Sequence, residues 1–220
     1  MSLISIVFLI LLIISLVCIL HSYIFFPLIL KVVSKSKNLD SIYESYKDET
    51  ELPRVFIFCS LHNESKVILQ KIDTMLTTSY PDSKVFVYLG LDNCSDNTEE
   101  LLTQHRLRDR LQIYVYPNRR GKSMVLNDLV EIANNDYGKQ DTDVYIFTDA
   151  NVFFSENTLY ELSKFFKDNR VGLCAANVIN PDYDKGGIGI QEKFYISREG
   201  KIKHMESLAW GTMIGAFGAC

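Results

Sequence analysis

The sequence predicts an α/β protein in which a mostly parallel β-sheet carries helices on both faces and follows one N-terminal transmembrane helix. The first 30 residues contain no Asp, Glu, Lys or Arg, so all 23 basic and 27 acidic residues lie in the rest of the chain. Beyond Pro53, short β-rich runs alternate with segments whose apolar residues recur at helical spacing. This alternation is typical of a parallel sheet covered on both faces. With 47% hydrophobic and 23% charged residues among 220, the chain has the size of one domain plus an apolar segment.

The N-terminal apolar run, residues 3–30, is long enough to cross a bilayer, which takes about 20 residues. It is too long for a secretory signal peptide, and no basic residue precedes it. Lys31, Lys35 and Lys37 follow the run directly. By the positive-inside rule, these lysines leave the C-terminal side in the cytoplasm. We therefore expect a single-pass protein of the cell membrane with its folded domain in the cytoplasm.

The chain divides into a predicted anchor, a polar linker and a folded domain, at residues 1–33, 34–52 and 53–220. Within the domain, β-rich runs predict five strands, at residues 54–60, 84–91, 111–116, 144–147 and 171–178. Helical spacing of apolar residues predicts helices between them, at residues 67–76, 125–132 and 159–166, and Asp96 is placed to cap a further helix. Because helices connect successive strands, the strands are expected to be parallel.

Composition and spacing exclude several classes of protein. A net charge of −4 and a pI near 5.6 argue against a nucleic-acid partner, since a nucleic-acid binder would show a basic face. The five cysteines are widely spaced and form no C-x-x-C pair, so neither a disulfide framework nor a structural zinc site is expected, and a reducing compartment fits. Gly121-Lys122-Ser123 resembles the end of a phosphate-binding P-loop, but Tyr116 stands where that loop needs its first glycine. The glycines near residue 187 do not lead from a strand into a helix, which excludes a dinucleotide fingerprint.

Polar residues follow four of the predicted strands. The segments are residues 61–64 (LHNE), 92–96 (DNCSD), 118–122 (NRRGK) and 148–151 (TDAN). Ligands of parallel sheets bind beyond the carboxyl ends of the strands, so these segments are expected to form one polar rim. Any one of them alone could be a turn or a helix cap. Four together favour a ligand site.

The residue types on this rim fit a phosphorylated ligand and a divalent ion. Asp149 ends a buried strand, and Asn151 follows two residues later, so both could offer hard oxygens to Mg²⁺ or Mn²⁺. Lys122 and Arg120 could neutralise phosphate oxygens from the other side. Asp92 could accept a hydrogen bond from a base or a ribose.

Four motifs together resemble the family 2 glycosyltransferases, and more narrowly their membrane-anchored, polysaccharide-synthase-like members. They are S-L-H-N-E (60–64), D-N-C-S-D-N-T (92–98), R-R-G-K-S-M-V-L-N (119–127) and T-D-A-N (148–151). The resemblance runs from about Pro53 to the end of the chain. It implies a Rossmann-like GT-A fold, a nucleotide-diphosphate-sugar donor that is most often UDP-linked, a divalent metal, and inversion at the anomeric carbon. The acceptor would be a lipid or a polysaccharide at the cytoplasmic face of the membrane.

The resemblance also assigns roles to individual residues. Donor-binding roles fall on Ser60, His62, Glu64, Asp92, Lys122 and Asp149, and Arg120 joins them from the charge argument above. Among them, Asp92 would contact the uracil or the ribose. Asp149 corresponds to the first Asp of the family's D-x-D metal motif, and Asn151 stands where the second Asp usually is. The glycine-rich stretch 206–219, with Gly215 and Gly218, resembles the acceptor-side loop.

Family members continue beyond this loop to an acidic general base, which the chain does not reach, so we expect a truncated glycosyltransferase. Glu206 is the nearest candidate for that base, although the resemblance does not assign it the role. One alternative is a catalytically inactive membrane protein that binds a nucleotide-sugar or a partner. A nucleotidyltransferase is a second alternative, but it would carry a glycine-rich basic signature after its first strand, where this chain has LHNES.

Overall fold

A computed structural model of the protein describes residues 2–35, 37, 46–178, 188–212, 215, 219 and 220. Contacts divide the chain into two units. One unit combines residues 1–40 with 179–215, and the other combines residues 41–178 with 216–220.

The larger unit is built on a parallel sheet of four strands in the order β3-β2-β1-β4. The strands are β1 (Val55–Leu61), β2 (Val85–Asp92), β3 (Leu111–Tyr116) and β4 (Val144–Phe147). Val55 of the central strand β1 lies opposite Val85 of β2 and Val144 of β4. The predicted parallel sheet and four of the five predicted strands are therefore confirmed.

Helices cover both faces of the sheet, because alternate residues of each strand point to opposite faces. On one face, Val125 and Leu129 of α5 (Lys122–Tyr137) pack in a core with Phe56 and Phe58 of β1. The other core contains Ile57 and Cys59 of the same strand and residues of three helices. These helices are α3 (Ile68–Leu76), α4 (Thr98–Thr103) and α6 (Thr158–Ser163). Strand β1 is thus buried on both sides, which explains its almost unbroken apolar sequence.

Glycine at position 90 of β2 lets α5 approach the sheet closely. A Cβ at this position would lie 2.2 Å from Cγ1 of Val125 and 3.3 Å from Cδ1 of Leu129. Carbon atoms normally stay about 3.5–4.0 Å apart. The N-terminal turns of α5 can therefore pack against β2 only where the strand has no side chain.

The predicted fifth strand at residues 171–178 is wrong, because this segment forms no strand. The end of β4 pairs instead with the last residues of the chain in antiparallel direction. The Phe147 amide donates to the Cys220 carbonyl (2.8 Å), and the Cys220 amide donates to the Phe147 carbonyl (3.1 Å). The 171–178 segment contributes one bond to this region, from the Ala176 amide to the Ala219 carbonyl (3.0 Å). Glycine and alanine, which are depleted in strands, weaken its β-propensity.

The smaller unit contains one continuous N-terminal helix, Leu3–Ser34, that is long and apolar enough to cross a membrane by length and composition. It comprises α1 (Leu3–Leu20), a π-helical turn (His21–Phe25) and α2 (Phe26–Ser34). No described residue of α1 is buried, whereas Leu30 and Ser34 of α2 are buried. This difference arises because α2 packs against a further helix, α7 (Ile188–Trp210), which the sequence analysis did not predict.

An arginine from α7 satisfies a backbone group of the N-terminal helix. Pro27 has no N–H, so the carbonyl of Tyr23, four residues earlier, lacks the donor that a helix ordinarily supplies. The Arg198 Nη2 donates a hydrogen bond to this carbonyl at 3.0 Å, and its guanidinium lies 4.7 Å from the centre of the Tyr23 ring. Phe26, three residues after Tyr23 in the N-terminal helix, stacks against Trp210 of α7 with ring centres 6.3 Å apart. The proline is thus accommodated by a specific contact.

Part of the predicted linker is ordered against the sheet unit. Lys84 donates from Nζ to the carbonyls of Glu49 and Thr50 at 2.8 and 3.1 Å, and Leu52 is buried. The Tyr46 hydroxyl donates to the Ser163 carbonyl at 3.1 Å. Residues 36 and 38–45 lie outside the described residues, so the boundaries of the anchor and the linker stay predictions.

Candidate functional site

A cavity of about 280 Å³ lies at the carboxyl edge of the sheet, where the polar rim was expected. Its walls come from the carboxyl ends of β1 and β2, the segments that follow β1 and β4, and the residues that lead into α5. The lining residues are Ser60, His62, Glu64, Asp92, Arg119, Gly121, Lys122, Asp149, Ala150 and Asn151. The structure therefore brings together six of the seven residues to which donor binding was assigned, and both candidate metal ligands.

Hydrogen bonds tie the segments after β1 and β2 into one wall. The Ser95 amide donates to Oδ1 of Asn63 at 2.8 Å, and Nδ1 of His62 lies 2.7 Å from the carbonyl of Asp92. Asn63 and Asn93 have φ angles of 58° and 55°, in the left-handed region. Asn is one of the few residues that tolerate this conformation. Both strand ends therefore turn sharply at an asparagine.

Asp96 strengthens the same wall. Its carboxylate accepts hydrogen bonds from the Thr98 amide (3.1 Å), the Thr98 hydroxyl (2.6 Å) and the Ser65 amide (3.1 Å). Burial raises the pKa of Asp96, but the bonds from Thr98 and Ser65 outweigh it and lower this pKa to about 2. Burial, followed by the nearby Asp96 charge, raises the pKa of Glu64 on the cavity wall. Helix α4 begins at Thr98 with Asn97 at its N-cap, so the predicted cap at Asp96 lies one residue too early. The Asp96 carboxylate nevertheless accepts from the first helical amide and also holds the β1 loop.

Asp92 anchors the segment that leads into α5. Its side chain is buried, with Oδ1 accepting from the Arg120 amide at 2.6 Å and Oδ2 from the Gly121 amide at 2.8 Å. Gly121 has a φ of 85°, a left-handed conformation that favours glycine. The sequence analysis expected Asp92 to contact a base or ribose, and that role stays a prediction. Each carboxylate oxygen can accept one further hydrogen bond beside these.

The paired arginines have different surroundings. Arg119 lines the cavity, and its Nη1 lies 2.9 Å from Nε2 of His62. Because Arg can only donate and the Asp92 carbonyl can only accept, these two contacts fit the His62 tautomer that carries its proton on Nδ1. The Arg120 side chain instead pairs with Asp128. The cavity is therefore lined by Arg119, and not by the Arg120 expected from the sequence.

Lys122 and Asp149 both line the cavity and form an ion pair between Nζ and Oδ1. Asn151 is exposed and also lines the cavity. The described part of the chain has no cluster of three or more His, Cys, Asp or Glu side chains that could hold a metal alone. The carboxylate of Asp149 and the amide oxygen of Asn151 nevertheless fit Mg²⁺ or Mn²⁺, which commonly takes one or two carboxylates and completes its coordination with water and substrate phosphates.

The acceptor-side candidates belong to the other unit or lie outside the described residues. Glu206 is a buried residue of α7, and the first five residues of the stretch 206–219 are helical. Gly215 has a φ of 65°. Gly218 lies outside the described residues. The roles of these three residues therefore stay predictions.

Residues 56–220 match the family model described as Glycosyl transferase family 2. The chain belongs to glycosyl transferase family 2. The resemblance inferred from the four motifs is thus confirmed, and the match begins one residue inside β1.

The chain is also similar to curated proteins. It is 24% identical to a poly-beta-1,6-N-acetyl-D-glucosamine synthase of Staphylococcus epidermidis over 188 residues, covering 83% of this chain and 43% of that protein. It is 31% identical to the probable glycosyltransferase YdaM of Bacillus subtilis over 90 residues, covering 39% of this chain and 21% of that protein. The chain thus spans less than half the length of the curated relatives it matches.

A solved structure supports the fold. The mannosyltransferase PcManGT from Pyrobaculum calidifontis, solved in complex with GDP-Man and Mn²⁺, matches with a TM-score of 0.64 at 22% identity. The match covers 92% of this chain and 54% of that one. The GT-A fold implied by the motifs is therefore confirmed.

Proposed function

We propose that the chain binds a nucleoside-diphosphate sugar, UDP-linked, and transfers its sugar with inversion to a lipid or polysaccharide acceptor. The observation that carries this proposal is the cavity at the carboxyl edge of the sheet. Two cationic side chains, Arg119 and Lys122, line this cavity together with Asp149 and Asn151. A diphosphate needs positive charge on one side and, with a divalent ion, hard oxygen ligands on the other.

The donor is proposed to lie across the cavity with its nucleoside against the wall formed by the β1 and β2 loops. His62, Glu64 and Asp92 line that wall. The diphosphate would lie near Lys122, whose ammonium would stabilise the negative charge of the leaving nucleoside diphosphate. When the diphosphate binds, its oxygens compete with Asp149 for this ammonium, so the ion pair seen here would be exchanged for a contact with the donor.

Asp149 and Asn151 are proposed to hold Mg²⁺ or Mn²⁺ together with the donor phosphates. When bound, such an ion supplies positive charge that stabilises the leaving group. An amide oxygen carries no charge, so this pair binds a free ion more weakly than two carboxylates would. We therefore expect the ion to bind tightly only together with the diphosphate.

Transfer needs an acceptor hydroxyl that attacks the anomeric carbon from the face opposite the diphosphate. The bond from this carbon to the diphosphate breaks, and the hydroxyl proton passes to a general base. Such a base contributes about 10²–10⁴-fold to the rate. Glu206 is the candidate for this general base within the chain, although the family resemblance does not assign it the role.

The proposed setting is the cytoplasmic face of the cell membrane. The helix Leu3–Ser34 would anchor the chain, and Lys31, Lys35 and Lys37 beyond its apolar part would keep the domain on the cytoplasmic side. The curated relative named for poly-beta-1,6-N-acetyl-D-glucosamine makes UDP-N-acetylglucosamine the first donor to test.

Calorimetric titration of the full chain in lipid nanodiscs tests donor binding. UDP-N-acetylglucosamine and GDP-mannose are each added with Mn²⁺ and with a chelator. We expect Mn²⁺-dependent binding of the UDP-linked donor, its loss in Asp149→Ala, and no change in Asp141→Ala, which removes an exposed acid elsewhere. Equal binding by Asp149→Ala, or no binding of either donor to the unmodified chain, contradicts the proposal.

A second candidate function is binding without transfer, and Asn151 in place of a second carboxylate favours it. The two functions differ in one measurement, the release of UDP in the presence of Mn²⁺ and an acceptor. Donor binding with UDP release supports the transferase. Donor binding with no release above the Asp149→Ala background supports the binding protein.

A further inference from the structure

A lysine is fully buried beneath the segment that carries the candidate metal ligands. Lys71 lies in α3, and its side chain has 0% exposure. Its Nζ donates to Oγ1 of Thr148 at 2.8 Å and also to the carbonyl of Val152. The same ammonium lies 4.4 Å from the centre of the Phe154 ring. Its contacts are thus neutral acceptors and an aromatic face.

This burial is unusual for a charged group. Lysine is almost never fully buried without a charged partner. Among the residues that the structure describes, no carboxylate forms an ion pair with Lys71. Burial lowers the pKa of the Lys71 ammonium to about 8, so the group is still mainly protonated at neutral pH. A methionine of similar length would fill the same space without this penalty, so the hydrogen bonds of the ammonium need an explanation.

The two acceptors of Lys71 flank the candidate metal ligands. Thr148 precedes Asp149, and Val152 follows Asn151, so one ammonium binds the segment on both sides. Thr148 is held from β1 as well, since its amide donates to the Phe58 carbonyl at 3.1 Å. Val152 is otherwise linked to the segment by a longer bond, from its amide to the Asp149 carbonyl at 3.3 Å. The ammonium therefore sets the distance between the two ends.

We propose that Lys71 is a positioning residue that holds residues 148–152 in the shape that presents Asp149 and Asn151 to the donor diphosphate and its divalent ion. This inference rests on the proposed function of the cavity. Lys71 itself does not line the cavity and touches neither candidate ligand in the contacts described, so it acts through the backbone of the segment. Its positive charge also lies under a site that is to receive an anionic diphosphate.

The test compares UDP binding with and without Mn²⁺ by calorimetry on the full chain in nanodiscs. In Lys71→Met, we expect the Mn²⁺-dependent gain in UDP affinity to fall by about 10–100-fold, the usual effect of removing a group that orients a metal ligand. UDP affinity in chelator should stay within about twofold, because the nucleoside wall is tied by its own hydrogen bonds. In Lys71→Arg, which keeps the charge and the donors, we expect at least part of the gain to return.

Two controls separate positioning from a general loss of stability or charge. Lys139→Met removes an exposed lysine outside the cavity, and Phe56→Leu weakens the core on the opposite face of the sheet. Neither should change the Mn²⁺-dependent gain. If Lys71→Met does not fold, Thr148→Val tests the proposal instead, because it removes one hydrogen-bond acceptor of Lys71 with little change in shape. This variant should lower the Mn²⁺-dependent gain in UDP affinity several-fold.

The outcomes distinguish this inference from the proposed function. If the unmodified chain binds no UDP with Mn²⁺, the proposed function fails, and the inference fails with it. If it binds UDP with Mn²⁺ while Lys71→Met or Thr148→Val keeps the full gain, the positioning role alone is refuted. An equal loss of UDP affinity with and without Mn²⁺ also refutes it, because that result indicates general destabilisation.

Discussion

Replacement of Asp92 by Asn should destabilise the sheet unit, even without a ligand. The buried carboxylate accepts two backbone hydrogen bonds, at 2.6 and 2.8 Å. Bonds to a charged acceptor contribute about 1.5–3 kcal/mol each. Asn keeps one oxygen for one neutral bond of about 1 kcal/mol and turns its amide group toward the other N–H. The expected loss is therefore about 3 kcal/mol, which corresponds to a fall in melting temperature of about 6–12 °C for a domain of this size.

Thermal unfolding of the ligand-free chain, followed by circular dichroism, measures this change. Asp128→Asn is the matched control, because Asp128 pairs with the Arg120 side chain in the same region but is partly exposed. An exposed ion pair contributes at most about 1 kcal/mol, so the control should melt close to the unmodified chain. An Asp92→Asn variant that melts like the control but has lost UDP binding would refute the anchoring role and leave nucleotide contact as its function.

Three further predictions concern packing, pH and the paired arginines. Gly90→Ala should cost about 1–3 kcal/mol, since the new methyl group overlaps Val125, and an unchanged melting temperature would contradict the packing described. The pKa of Asp96 is lowered in the folded state, so the stabilisation from its carboxylate is complete above the unfolded value near 4 and is lost as the pH falls toward 2. In Asp96→Asn, the free energy of unfolding should therefore depend less on pH across that range, as measured by denaturation at a series of acid pH values. Arg119→Ala should weaken UDP affinity more than Arg120→Ala, and the reverse order in calorimetry would contradict the geometry of the cavity.

The sheet and the position of the site followed from the sequence because both depend on local pattern. Strand β1 is apolar except for Ser60, which favours a central position, and the polar segments that follow the strands meet at one edge by topology. The fifth strand was predicted from an apolar run that includes Gly172, and it failed because pairing depends on which partner occupies the edge of β4. Helix α7 was missed because its apolar residues form no clear stripe along the sequence.

The direction of side chains within loops could not be predicted from the sequence either. No local sequence feature shows which of Arg119 and Arg120 lines the cavity. The direction of each side chain depends on the backbone, which the Asp92 carboxylate fixes by accepting from the Arg120 and Gly121 amides. Lys71 did leave a signal that the sequence analysis overlooked. With Ile68, Ile72 and Met75, it continues an apolar stripe at helical spacing, and a lysine in such a stripe indicates a buried ammonium.

The contact between Arg198 and the Tyr23 carbonyl has an evolutionary consequence. The arginine compensates for an amide that Pro27 cannot provide, so selection on position 198 depends on the residue at position 27. In lineages where position 27 is not proline, the helix supplies its own donor and the arginine loses this function. Positions 27 and 198 should therefore covary among relatives that retain both helices.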